Sequence, residues 1–264
     1  MPPQLPVVWI ASYPKSGNTW FRFMLYAALH GPPQRSTDVS SKIQDLHRKM
    51  PTDLDPDGPL YIKTHFELTG RHPQLDETCR AIHIIRNPRD ILLSALNYHN
   101  LSGTKSRFQS KKHYAKSFIN HGGDTYWKEL GYGTWASHAR SWRSTTRFPV
   151  FPLCYEKLQS DPRAQLVKAL EFLGIKRTED EINRAITSSS FDTMRALEIR
   201  EKNTDKAGTL SSGLFIGSQN TTRKGVYFMN QGKSNQSLNA LSPGLDAQFN
   251  AALKDELAEF GYES

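Results

Sequence analysis

Short apolar runs rich in β-branched residues alternate along this chain with segments whose apolar positions recur every three or four residues. Val7 to Ser12 is such a run and reads as a buried strand. From Asn18 or Thr19 to about His30, Phe21, Met24, Leu25 and Ala28 fall at helical spacing and predict a helix. Leu60 to His65 reads as a second strand and Ala81 to Asn87 as a third. NPRDILLSALNYH then predicts a helix with Asn87 as its cap, Pro88 in the first helical position and Asp90 in the first turn. Trp135 to Trp142 has a helical pattern, and VFPLCYE, Val150 to Glu156, is a fourth strand. Asp161 as cap, Pro162 as first residue and Gly174 as stop delimit the next helix. Thr178 caps another, with acids in its first turn, and Ser242 to Phe260 is a closing amphipathic helix. Residues 31–59 hold five prolines and read as loop with room for one short helix. Residues 100–133 show no clear period, and 203–224 are a Gly/Ser/Thr/Asn-rich loop. There is no internal repeat.

Strands alternating with helices predict βαβ units, hence an α/β fold with a central, mainly parallel sheet flanked by helices. We take residues 1–264 as a single domain, a length that one large α/β domain fills. In such sheets ligands bind beyond the carboxyl ends of the strands. Four polar clusters fall at predicted strand ends: Tyr13–Thr19, Lys63–His65, Arg86–Asn87 and Tyr155–Glu156. Their convergence is stronger evidence for a site than any one of them.

Charge adds a partner class. The chain carries a formal net charge of +8 and a pI near 9.4. A polyanion fits: nucleic acid, a membrane surface, or a nucleotide with several phosphates. Leu101 to Gly123 alone holds five Lys/Arg and no acid. The two cysteines, Cys79 and Cys154, form no CxxC pair, which argues against a disulfide scaffold and fits a reducing compartment. MPPQLPVV lacks a basic region followed by an apolar run, so no signal peptide is expected. No segment is long and apolar enough to span a bilayer, and a cytoplasmic location is expected. With no HExxH, no EF-hand spacing and no Cys/His cluster, no metal is predicted.

The turn YPKSGNTW joins the first strand to the first helix. Backbone N–H groups from about Lys15 to Thr19 can point into it at the helix N-terminus, where the dipole favours an anion. Gly17 permits close approach, Ser16, Asn18 and Thr19 add side-chain donors, and Lys15 adds a mobile charge. It is not the GxxxxGK[ST] loop of the ATP and GTP binders.

YPKSGNTW resembles the 5′-phosphosulfate loop of the cytosolic-type sulfotransferases, which use 3′-phosphoadenosine-5′-phosphosulfate (PAPS) and release adenosine 3′,5′-bisphosphate (PAP). KTH, Lys63 to His65, resembles the segment with the family's catalytic histidine. IIRNPRDILLSALNYH resembles its 3′-phosphate motif, at Arg86 and Ser94. CYEKL and SSSFDTM resemble its adenine contacts, at Tyr155 and at Ser189 and Phe191. RKG, Arg223 to Gly225, resembles the late loop that closes on the 3′-phosphate. The matches run from residue 9 to 225, and the resemblance is to a bacterial-like member.

The resemblance implies a P-loop-NTPase-like sulfotransferase fold and sulfuryl transfer from PAPS to a hydroxyl or amine of a small-molecule or glycoconjugate acceptor. It casts His65 as general base, Lys15 as stabiliser of the bridging oxygen, and Lys63 as its assistant. Arg86, Ser94, Arg223, Lys224 and Gly225 then hold the 3′-phosphate, with Trp20 and Tyr155 near the adenine. His83 reads as packed within its strand, and His99 is the second choice of base. The vertebrate Gly-Asp-Trp continuation after RKG is replaced by VYFMNQGKSNQSL. The vertebrate dimer motif is also missing, since Lys233 leads to Ser237, Leu238 and Ser242 where Thr-Val and a glutamate are expected. The oligomeric state therefore stays open. Two other classes stand beside this one. A P-loop kinase lacks its GK[ST] here, and a nucleic-acid binder using residues 101–123 lacks regular aromatic interleaving.

Overall fold

The computed structural model describes residues 5–47, 58–102, 110–204, 214–215 and 227–262. Five strands form one parallel sheet: β1 (Val7–Ser12), β2 (Ile43–Asp45), β3 (Leu60–Thr64), β4 (Thr78–Ile85) and β5 (Val150–Cys154), in the order β2-β3-β1-β4-β5. All four pairings are parallel, so every strand ends on the same edge. β1 is central and wholly buried, which its unbroken apolar run requires.

Helices cover both faces, as the alternation predicted. Ile10, Ile82, Ile84 and Leu153 point to one face, where α1 (Asn18–His30), α8 (Pro162–Leu173), α9 (Glu179–Ser188) and α10 (Phe191–Thr204) pack through Phe21, Leu166, Ala185 and Met194. Val7, Trp9 and Ala11 point to the other. There α3 (Pro88–Leu101), α4 (Lys111–Asn120), α6 (Trp135–Arg143), α11 (Leu245–Ala252) and α12 (Lys254–Phe260) build a second core around Ile91, Phe118, Trp135 and Phe249. The predicted caps are made. Asn87 accepts from Arg89 N at 2.9 Å and Asp161 from Ala164 N at 2.9 Å, while Thr178 and Glu181 form a capping box.

The elements differ from those the sequence predicts in several places, among them β4, which starts at Thr78, and α10, which it does not predict. The proline-rich stretch holds α2 (Ser36–Lys42) and the three-residue β2, a strand made only by its bonds to β3. Residues 100–133 contain α4 and α5 (Thr125–Glu129). Ser110 caps α4, whose Tyr114, Ala115, Phe118 and Ile119 face the core at a spacing that is legible once the cap is seen. The fourth strand stops at Cys154, and Tyr155 opens α7 (Tyr155–Ser160). The closing helix breaks at Leu253 into α11 and α12, after a 3-10 turn at Leu238–Ala240.

Candidate active site

The carboxyl edge of the sheet opens into one cavity of about 1060 Å³, lined among others by Lys15, Gly17, Thr19, Trp20, Lys63, His65, Arg86, Ser94, Tyr155 and Phe191. Thus most of the residues singled out along the chain meet in one place.

The β1–α1 turn is held from below. Asn18 donates its side-chain amide to Ile10 O at 3.0 Å and to Ser12 Oγ at 3.1 Å, tying the helix start back to its strand. That amide is therefore spent on the fold, and only the backbone N–H remains as Asn18's contribution to an anion. Gly17 adopts φ +96°, which disfavours any side chain. A Cβ there would also overlap the Tyr155 ring, 2.8 Å from Cε2. Lys15 is left-handed too, at φ 67°. Its ammonium lies 3.9 Å from the Phe228 ring centroid and 5.4 Å from that of Tyr98. Removal from bulk water, then the Arg86 charge, lower its pKa to about 7, against a smaller opposing pull from Glu198. Although its side chain looks into the cavity, the surrounding protein removes most of its hydration.

His65 follows Thr64, whose register partner is Ala11, so its ring reaches the end of β1. Nδ1 lies 2.7 Å from Ser12 O. A carbonyl can only accept, so Nδ1 carries the proton and Nε2 keeps its lone pair. Burial, with Lys63 and His47 nearby, pushes its pKa well below the ordinary histidine range, so the ring is neutral. Lys63 faces Asp45 across the β2–β3 pairing and makes an ion pair with it, at 3.2 and 3.3 Å to the two oxygens. Burial opposes ionisation of Asp45, but Lys63 and Arg22 outweigh it and hold the carboxyl at about 2. His47 stacks on His65 with ring centroids 5.6 Å apart, and Tyr132 sits 5.7 Å from His65.

On the other side of the turn, Arg86 donates to Lys15 O at 3.1 Å and to Lys233 O at 2.9 Å. Its guanidinium lies 4.2 Å from the Tyr155 ring centroid. Tyr155 also meets Trp20 edge-on, centroids 5.7 Å apart. The late segment is anchored around this group. Buried Glu198 accepts from Phe228 N at 2.6 Å and Met229 N at 2.9 Å, and Asp90 accepts from Asn235 N and Gln236 N. Two buried donors that line this end of the cavity, Trp20 Nε1 and Arg86 Nε, have no hydrogen-bond partner among the described residues. Unpaired buried donors are costly, and a phosphorylated ligand at the turn fits them.

Some expected residues stand elsewhere. Ser189 turns its hydroxyl to Ala185 O at 2.7 Å and Ile186 O at 3.3 Å, satisfying carbonyls at the α9 terminus, and it is Ser190 that lines the cavity. Ser16 is buried beneath the turn rather than on the cavity wall. Arg223, Lys224 and Gly225 lie outside the described residues. His99 is bound to Asp124 at 2.7 Å in a buried cluster with Tyr114, away from the cavity, and His83 is buried within β4. Asp45, His47 and Tyr132, which line the cavity beside His65, were not singled out in the sequence. Asp45 and His47 belong to the proline-rich stretch and Tyr132 to the segment without a period, and none carries a local motif. Among the described residues there is no cluster of metal-ligating side chains and no helix long and apolar enough to cross a membrane.

Comparison with known proteins agrees with this geometry. The family model described as "Sulfotransferase domain" matches residues 5–261. Sulfotransferase 1A1 of Rattus norvegicus is 27% identical over 199 residues, 70% of this chain and 66% of the relative. This chain thus spans just under two thirds of that relative. Sulfotransferase 2A2 of Rattus norvegicus is 25% identical over 258 residues, 95% of this chain and 84% of the relative. Among solved structures, mouse sulfotransferase SULT7A1 complexed with PAP superposes with a TM-score of 0.67 at 19% identity, covering 97% of this chain and 84% of that one. Retinol dehydratase in complex with androsterone and inactive cofactor PAP gives 0.72 at 17% identity, covering 97% and 82%. The family match over nearly the whole length, on a parallel sheet whose strand ends gather Lys15, His65 and Arg86, leads to one assignment: this chain belongs to the sulfotransferase family of enzymes.

Proposed function

We propose that the chain, acting as one domain over residues 1–264, transfers the sulfuryl group of PAPS to a hydroxyl or amine of a small-molecule or glycoconjugate acceptor. The observation that carries the reading is the His65 imidazole. Its Nδ1 proton is committed to Ser12 O and its Nε2 lone pair has no partner among the described residues, in the same cavity as Lys15 and Arg86. The relatives crystallised with PAP support the nucleotide class. The free cysteines suit a reducing, cytoplasmic setting.

Each residue then has a physical role. The Lys15–Thr19 backbone and the α1 dipole hold the 5′-phosphosulfate. Arg86 presents a planar fork to the 3′-phosphate, with Ser94 beside it. Arg223, Lys224 and Gly225 are proposed to complete that group. Tyr155, Trp20 and Phe191 flank the adenine. His65 Nε2 takes the acceptor's proton as the new bond to sulfur forms. Lys15, whose ammonium form is favoured by the incoming anion and takes its proton from solvent, neutralises charge on the bridging oxygen as its bond to sulfur breaks. Lys63 adds positive potential at the same centre, with Asp45 fixing its position. The transferred group is positioned and charge-stabilised, and no metal is assigned. His65→Ala should cut transfer of labelled sulfate from PAPS by roughly 10²–10⁴-fold while PAP affinity by calorimetry is unchanged. Activity within threefold of wild type would remove His65 from the base role.

A further inference from the structure

The hydrogen-bond directions around His47 determine what Tyr132 can do. The backbone N–H of His65 points at His47 Nε2, 2.9 Å away. An N–H can only donate, so Nε2 is unprotonated. The imidazole proton is therefore on Nδ1, and Nδ1 lies 3.3 Å from the Tyr132 hydroxyl. His47 must donate to that oxygen, and Tyr132 cannot donate back. Burial lowers the His47 pKa to about 4 and raises that of Tyr132, so neither changes state near neutral pH. Among the described residues the Tyr132 hydroxyl is hydrogen-bonded only to His47. Its own O–H is left to point into the cavity beside His65.

We propose that Tyr132 donates this hydrogen bond to the acceptor's nucleophilic atom and thereby selects hydroxyl over amine acceptors; the proposal rests on the sulfuryl-transfer reading above. A hydroxyl oxygen has one proton and two lone pairs. The proton goes to His65 Nε2, one lone pair accepts from Tyr132, and the other forms the bond to sulfur while the sulfur–bridging-oxygen bond breaks. A neutral amine has one lone pair, which must attack sulfur. It cannot also accept from Tyr132, whose buried donor is then unpaired at the moment of reaction. His47 is a positioning residue: it holds the Tyr132 oxygen and dictates which way the proton points.

The test compares isosteric probes, 2-naphthol and 2-naphthylamine, with labelled PAPS. Wild type should favour naphthol by tenfold or more in kcat/KM. Tyr132→Phe keeps the ring and should lower kcat/KM for naphthol about tenfold while leaving naphthylamine within twofold. It should also weaken naphthol binding to the PAP complex, read by naphthol fluorescence, with PAP affinity unchanged. His47→Met removes the ring N–H that fixes the Tyr132 oxygen and should narrow the same preference. In the double variant the two losses should not add. Equal losses for both probes, or a wild-type preference for the amine, would overturn the proposal while leaving sulfuryl transfer standing. Transfer by wild type to no hydroxyl or amine acceptor at all would instead overturn the reading on which it rests.

Discussion

Lys15 keeps its ammonium in the cavity at a cost to the fold, and that cost is measurable. Its ordinary pKa of 10.5 falls to about 7 in the folded, nucleotide-free protein. Each unit corresponds to 1.36 kcal/mol, so the drop represents about 5 kcal/mol before screening. The ammonium faces the open cavity and two aromatic rings, so we retain roughly half, about 2 kcal/mol. Below pH 7 both folded and unfolded chains carry the proton, and the folded state bears the whole penalty. As pH rises from 7 to 10.5 the unfolded chain binds more protons than the folded one, so the penalty is progressively relieved. Lys15→Met keeps most of the stem and removes the charge. At pH 6 it should raise the Tm of the nucleotide-free protein by roughly 4–8 °C, the shift that about 2 kcal/mol produces in a chain of this size. At pH 9.5 the gain should be smaller but not gone, because the unfolded lysine, with a pKa of 10.5, is still largely protonated there. The same variant should lose kcat while PAP affinity changes little, as the role proposed for the charge at the breaking bond requires. Scanning calorimetry at the two pH values decides the first limb. A Tm at pH 6 equal to or below wild type, or a gain that does not shrink with pH, would refute the argument that burial depresses Lys15.

Other outcomes follow from the same geometry. Gly17→Ala must place a methyl in left-handed backbone against Tyr155, which should destabilise the fold by about 1–3 kcal/mol and weaken PAP binding, read by denaturant unfolding and calorimetry. Arg86→Ala should erase most of a roughly hundredfold preference for PAP over adenosine 5′-phosphate, since two or three charge-assisted bonds to the 3′-phosphate disappear; equal wild-type affinities for the two nucleotides would sink the cofactor assignment. Chelation with EDTA should leave sulfate transfer unchanged, and a loss restored by Mg²⁺ would point to phosphoryl chemistry instead.

Features that depend on neighbours in the chain were legible before any folding. The β1 strand, the turn at Gly17, and the caps at Asn87, Asp161 and Thr178 are written in residues a few positions apart. So is the parallel α/β order, because apolar period and cap chemistry are local properties. These were enough to bring Lys15, His65, Arg86 and Tyr155 to one sheet edge. What the tertiary structure alone decided is which atoms are left over once the fold has used the rest. Asn18's amide and Ser189's hydroxyl are both consumed by backbone groups, and adjacent Ser190 faces the cavity instead. Lys63 is matched to Asp45 by a register between two strands, one only three residues long and without its own signal. His47 and Tyr132 reach His65 from segments 18 and 67 positions away, so no periodicity relates them. Their proton directions follow from a single backbone N–H meeting one ring nitrogen, a constraint that exists only when β2 and β3 lie side by side.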